Sequence, residues 1–287
     1  MTGRLPRGVC VALATVGTMV AGAASAQSPQ DARMPGWSNN TELSWVVATG
    51  NAKANAVGFR NVYAYRWMRA ELSWESGWVR AASRDGGRFA VVTAPGEFAV
   101  VEPAVRIDSQ RLHSKVRYQR QIAGRHDWFS NVDVVRDEPS NIARQVVLAS
   151  GLGTTWHDSA VLTIRTSYGV SYTDEDLTVE GIRRFGGYRL FYGVKARPAD
   201  GTAVESELTA DGSFDEAADL RADWLNSVSV AINSNIALKS SVRVLFRNRP
   251  ALQTLPLQMP AGVAIGTVEV PKEHVDTSIT TSLAISF

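Results

Sequence analysis

The sequence predicts an all-β fold, an antiparallel up-and-down transmembrane β-barrel of about twelve strands. Three observations lead there: the pattern of the last stretch, the leader at the start, and the alternation of long and short connections. In 275–287, Val275, Thr277, Ile279, Thr281, Leu283, Ile285 and Phe287 fall on one side of an extended chain. Asp276, Ser278, Thr280, Ser282, Ala284 and Ser286 fall on the other. That is period two over thirteen residues, with one face apolar or Thr and the other small and polar. Soluble strands run to about five or six residues, whereas a tilted transmembrane strand needs about nine to eleven. The apolar Phe287 at the end fits the closing strand of an outer-membrane barrel.

The leader supports export. Arg4 and Arg7 precede an uncharged apolar run, 9–24, and Ala24-Ser25-Ala26 has the small-x-small form of a signal-peptidase site. Residues 1–26 are therefore expected to be a cleavable signal peptide, directing the protein to the outer membrane of a Gram-negative cell. Cys10, the only cysteine, follows Arg7-Gly8-Val9 rather than a lipoprotein motif and would leave with the leader. Cleavage removes two of 30 basic residues, leaving 28 against 28 acidic ones and a formal charge of zero. No basic excess points to nucleic acid. After the leader no segment approaches eighteen consecutive apolar residues, so a membrane would be crossed only by strands closed into a barrel. In hydrocarbon every backbone N–H and C=O must find a partner within the protein.

Taken in order, 27–40 reads as a polar periplasmic lead-in and 41–287 as the barrel. Residues 41–49 alternate, and Thr49-Gly50-Asn51 is a turn signal. Residues 55–67 place Val57, Phe59, Tyr63, Tyr65 and Trp67 on one face and Gly58, Arg60, Ala64 and Arg66 on the other. Residues 70–80 oppose Leu72, Trp74 and Trp78 to Glu71, Ser73, Glu75 and Gly77. A long irregular stretch, 82–104, can hold a small hairpin, 89–93 with 98–101. Alternation resumes over 110–122, 128–137, 142–156 and 161–173. Residues 174–187, charged and glycine-containing, read as a second long loop. Strands follow at 188–197, 203–210, 220–232 and 236–248, then a third long loop at 249–272 with three prolines, then the closing strand.

Bacterial barrels have even strand numbers, short periplasmic turns and longer outer loops. With both termini periplasmic, odd-numbered connections face outward. The long ones, near 82–104, 174–187, 211–219 and 249–272, are all odd, and the short ones near 67–70, 123–127, 157–159, 198–201 and 233–235 are all even. Those near Gly50 and at 138–141 are short and odd. Ten or fourteen strands are alternatives, because 83–103 is ambiguous. A soluble β-sandwich or lipocalin-like barrel would turn its aromatic face inward and would not put both signs of charge on the other.

No catalytic, cofactor-binding or metal-binding residues are assigned. His157-Asp158-Ser159 holds the residue types of a hydrolase triad, but neighbours on a turn diverge. His113, His126, His157 and His274 lie far apart, with no spacing that suggests a metal. Gly151-x-Gly153 lies inside a strand, where glycine marks a bend or a close approach rather than a phosphate loop.

The Thr49-Gly50-Asn51 turn followed by a long aromatic strand, the 128–137 strand ending in Arg136-Asp137, and Gly151-Leu152-Gly153 together resemble the salt-induced outer-membrane proteins, the YdiY-like family defined by domain of unknown function 481. The resemblance implies a barrel without an assigned activity and transfers no site residues.

The informative chemistry is the inward charge. Arg60 and Arg66 neighbour Glu71 and Glu75. Lys115 and Arg117 neighbour Asp133 and Asp137, Arg189 and Lys195 neighbour Glu205 and Glu207, and Lys239, Arg243 and Arg247 neighbour Asp276. Strands about 4.8 Å apart let such groups pair across the wall. The expectation is a structural or narrow-channel, porin-like role for small solutes or ions, not an enzyme. A rim enzyme acting on lipid or peptide, and an adhesion or interaction protein working through its outer loops, are the alternatives. The expected partners are membrane lipid, lipopolysaccharide and the barrel-assembly machinery, which would read the strand ending at Phe287. No nucleic acid and no cofactor are expected, and the chain is expected to be a monomer.

Overall fold

The computed structural model describes residues 35–49, 54–83, 89–94, 96–101, 107–260 and 263–286. Its strands are β1 (Gly36–Thr49), β2 (Ala54–Arg66), β3 (Ala70–Ser83), β4 (Phe89–Ala94), β5 (Glu97–Val101), β6 (Ile107–Ala123), β7 (His126–Asp137), β8 (Ile142–Asp158), β9 (Leu162–Leu177), β10 (Gly181–Ala199), β11 (Thr202–Ser213), β12 (Leu220–Ala231), β13 (Ile236–Arg247), β14 (Leu252–Gln258), β15 (Ala264–Pro271) and β16 (Val275–Ser286). Twelve of them close into a barrel in the order β1-β16-β13-β12-β11-β10-β9-β8-β7-β6-β3-β2. Every neighbour in the ring is antiparallel, and β1 against β16 closes it with Leu43 opposite Leu283. Closure leaves no unpaired edge, which is what hydrocarbon requires.

The outward face is apolar. Trp45, Phe59, Trp74, Tyr168, Val170 and Tyr192 are exposed there, as the alternation predicts. Several outward indoles donate to a hydroxyl on the next strand: Trp74 Nε1 to Ser114 Oγ at 3.0 Å, Trp128 to Ser150 at 2.9 Å, Trp156 to Thr166 Oγ1 at 2.8 Å and Trp224 to Ser206 at 3.2 Å. An indole N–H in an apolar setting needs such a partner, which explains the lone hydroxyls on the outer face. At the starts of β1 and ends of β2, Trp37, Tyr63, Tyr65 and Trp67 stack in sequence, with centroids 4.3–4.9 Å apart.

One end of the barrel carries only short turns, at 67–69, 124–125, 159–161, 200–201 and 232–235. The other carries the long connections. Three expected boundaries are corrected. The lead-in 27–40 is too long, because β1 begins at Gly36 and pairs with Arg66. The loop expected at 174–187 is two strand ends joined at 178–180. Charges on both faces there pair between strands, as in Arg184–Asp174 at 2.6 Å and Arg144–Asp174 at 2.8 Å, so polarity did not mean loop. The stretch 82–104 holds the small hairpin expected in it, while 249–272 is not a bare loop. Each holds a hairpin, β4–β5 and β14–β15, and the two hairpins join into one sheet, β15-β14-β4-β5, through a parallel β14–β4 contact. The expected leader 1–26 and the turn at Gly50 lie outside the described residues.

Candidate functional site: the barrel lumen

The inward face of each strand is every second residue, and on nearly every strand it carries charge. On the wall formed by β13, β16, β1, β2, β3 and β6, Arg60 is the hub. It donates to both oxygens of Glu75, at 2.9 Å each, and to Glu42 at 2.9 Å. Lys239 reaches over β16 to Glu42 at 3.2 Å, and His113 Nε2 lies 3.2 Å from Glu75. Arg66 pairs with Glu71 at 2.7 Å near the short-turn end.

On the opposite wall the pairs span longer gaps. Arg165 on β9 crosses β8 to Asp127 on β7 at 2.6 Å, and also donates to Gln119 on β6. Arg189 on β10 donates to Asp211 on β11 at 2.6 Å and reaches Asp133 on β7, three strands away. Arg221 on β12 holds the fully buried Glu175 of β9 at 2.8 and 2.9 Å. A glycine makes the Arg165 crossing possible. A Cβ on Gly153 would sit 2.6 Å from Asp127 Oδ1 and 2.8 Å from Arg165 Nη2, and one on Gly77 would strike the His113 ring. Gly151 and Gly169 face each other in register, and there the two backbones are too close for any Cβ.

The sequence-stated pairs divide. Arg60–Glu75, Arg66–Glu71 and Lys195–Glu205 form as expected. Asp133 stands opposite Lys115 but binds Arg189 instead, and Asp137 takes Arg111 at 3.5 Å. Arg117 lies over the Phe129 ring at 4.5 Å. Lys239 pairs with Glu42 and Arg243 with Asp223. Arg189 escapes neighbour counting because its guanidinium outreaches one strand spacing, whereas Arg111–Asp137 and Arg243–Asp223 join adjacent strands. For Arg165 and Asp127 the signal available in the sequence was Gly153 on the strand being crossed.

The histidines do not converge. His126 Nδ1 lies 3.0 Å from Thr154 Oγ1 at the start of β7, and His274 Nδ1 lies 2.9 Å from the Arg247 carbonyl. His157 Nε2 is 3.1 Å from Ser159 Oγ, but that hydroxyl caps its own turn on the Leu162 backbone, and Asp158 makes no triad with them.

Inside the half of the lumen nearer the short turns lies a cavity of about 220 Å³. Glu42, Arg60, Glu205, Glu207, Ser227 and Lys239 line it. Among the described residues Glu207 makes no hydrogen bond or ion pair, though its charge acts on Arg60, so this space presents an unbridged carboxylate beside paired charges. Outside the membrane-spanning strands, burial opposes ionisation of Asp219, but the hydrogen bond from Arg221 and the charges of Arg221 and Arg183 hold its carboxyl below the usual range.

Solved barrels share this architecture. The chain is similar to the NanC porin, with a TM-score of 0.50 and 9% identity, over 85% of this chain and 98% of that one. It also matches the KdgM porin in complex with disordered oligogalacturonate, at TM-score 0.44 and 10% identity, over 86% and 99%. The CymD monoaromatic hydrocarbon channel matches at 0.41 and 8%, over 88% of each chain. At these identities the likeness is one of fold, an outer-membrane porin-like barrel. No curated protein matches. The family model described as "Protein of unknown function, DUF481" matches residues 41–287, and the chain belongs to that family.

Proposed function

We propose that the protein is a narrow, weakly selective conduit through the outer membrane for ions or small polar solutes. One observation carries this reading: the lumen is lined from end to end by charged groups of both signs and keeps a polar cavity between them. A purely structural barrel can also be filled by side chains, but here a cavity remains between the paired charges. Interleaved signs make a path that a hydrated ion can follow by exchanging partners, without a large single-sign field to select charge. Salt bridges along such a path hold it narrow. Its partners in this reading are lipid and lipopolysaccharide on the aromatic face and the barrel-assembly machinery at the last strand. It acts as a monomer.

Purified protein in planar bilayers is expected to give small, steady current steps and a reversal potential near zero in a KCl gradient. A folded barrel that gives no steps in any salt would leave only the structural role. Glu71→Ala with Glu75→Ala takes Arg66 and Arg60 from these partners. The double variant is expected to shift current toward anions and to lose about 1–3 kcal/mol of stability.

A further inference from the structure

We infer that the β13–β16 connection is a latched gate across the outer mouth, an inference that rests on the conduit reading. In the twelve-strand ring β8 stands six places from β16, so the two are diametrically opposed. The connection leaves from β13 and returns to β16, yet its anchor points are at β7, β8 and β9. It therefore crosses the mouth. Its two legs leave the wall as a paired ribbon: Arg247 N donates to His274 O at 2.8 Å, and Lys272 N donates to Ala251 O at 3.0 Å.

On the near side, Asn248 N binds Leu220 O at 2.9 Å, its side chain binds Ala218 O at 2.9 Å, and Arg249 pairs with Glu216. On the far side, Ala251 is buried between Ile142, at the start of β8, and Leu177, at the end of β9. Asn141 Nδ2 donates to Leu252 O at 2.8 Å, and Leu252 N donates to Glu180 Oε2 at 3.2 Å. Buried Lys272 donates to the Pro139 carbonyl.

That far anchor is small. Beside a barrel ladder it is limited to Ala251 in an apolar notch, a few side-chain bonds to turns and, farther out, the two-residue parallel contact of β14 with β4 over buried Leu255, whereas each barrel strand is held by a continuous ladder on both sides. Segments with few buried contacts open at much lower free energy than the core. Release of the far anchor, with the β4–β5 hairpin parting from β14 or moving with it, would free the ribbon to swing about its β13–β16 root and uncover the lumen. The near contacts at Asn248 and Arg249 would guide that swing.

Two readouts test it. The first is the rate at which Ser278→Cys, on the lumen face of β16 below the ribbon, reacts with an impermeant maleimide added outside. Ala251→Glu with Lys272→Met, checked for folding by heat-shifted gel mobility, is expected to raise that rate at least tenfold. The second is bilayer current. The Leu177→Cys and Ala251→Cys pair, oxidised, is expected to suppress it, and reductant is expected to restore it. An unchanged labelling rate in a folded, unlatched barrel overturns the gate. If the parent also conducts steadily, the conduit survives that result. Faster labelling with no current from any variant keeps the gate and overturns the conduit.

Discussion

Gly153 shows how much rests on single residues inside the barrel. With only hydrogen there, Arg165 can lie across β8 and bind Asp127. Gly153→Val is expected to force the pair apart and cost about 1–3 kcal/mol, the usual penalty for partly buried charges left without a partner. Urea unfolding in detergent or lipid would measure it, and a cost near zero would mean the pair contributes little. Asp219 gives a pH prediction. Its folded-state pKa is lowered, so its contribution to stability is fully present above its ordinary value of 3.8 and is lost as pH falls through the lowered one. The anchorage of the 214–219 connection should therefore hold from neutral pH down to about 4. It should loosen only below that, and limited proteolysis across a pH series would follow it. Asp219→Asn should loosen it already at neutral pH.

At the scale of the element, the two faces of a strand obey different solvents. Tyr63 and Val244 point outward, and Arg at either should cost about 2–4 kcal/mol if the site is near the midplane. Arg at Ser229, on the lumen face of β12 and near a short turn, should cost much less. Equal costs would mean the faces are misassigned. Ser282 is also inward but is nearly fully buried beside the Lys239 backbone, so it is a poor site for this comparison. The period-two pattern located the strands well, including the small β4–β5 hairpin. It failed at 174–187, where alternating charge satisfied by strand partners looks the same as a polar loop. Nothing local in a sequence separates the two, because the deciding hydrogen bonds come from β8 and the following strands.

For the whole molecule, orientation is the first question. The short-turn end holds both described chain ends and should face the periplasm. Cysteine at Asp215 should label on intact cells with an impermeant reagent, and cysteine at Gly124 or Asp200 should not. Labelling of both sets alike would remove the basis for calling 248–274 an outer connection, and with it the placement of the ribbon.

By itself the sequence determined the class of fold, about twelve strands with ten or fourteen left open, and which face of each strand is apolar. Those follow from a period of two and from the backbone's need for partners in hydrocarbon, both of which are local. It also located three adjacent-strand ion pairs, since register places such residues side by side. Only the tertiary structure decided that Arg189 and Arg221 reach past their neighbours, that Gly153 clears the way for Arg165, and that the 248–274 ribbon lands on the opposite rim. Those contacts depend on closure of the ring, which sets residues as far apart as Lys272 and Pro139 against each other, and no local pattern in the chain encodes that distance.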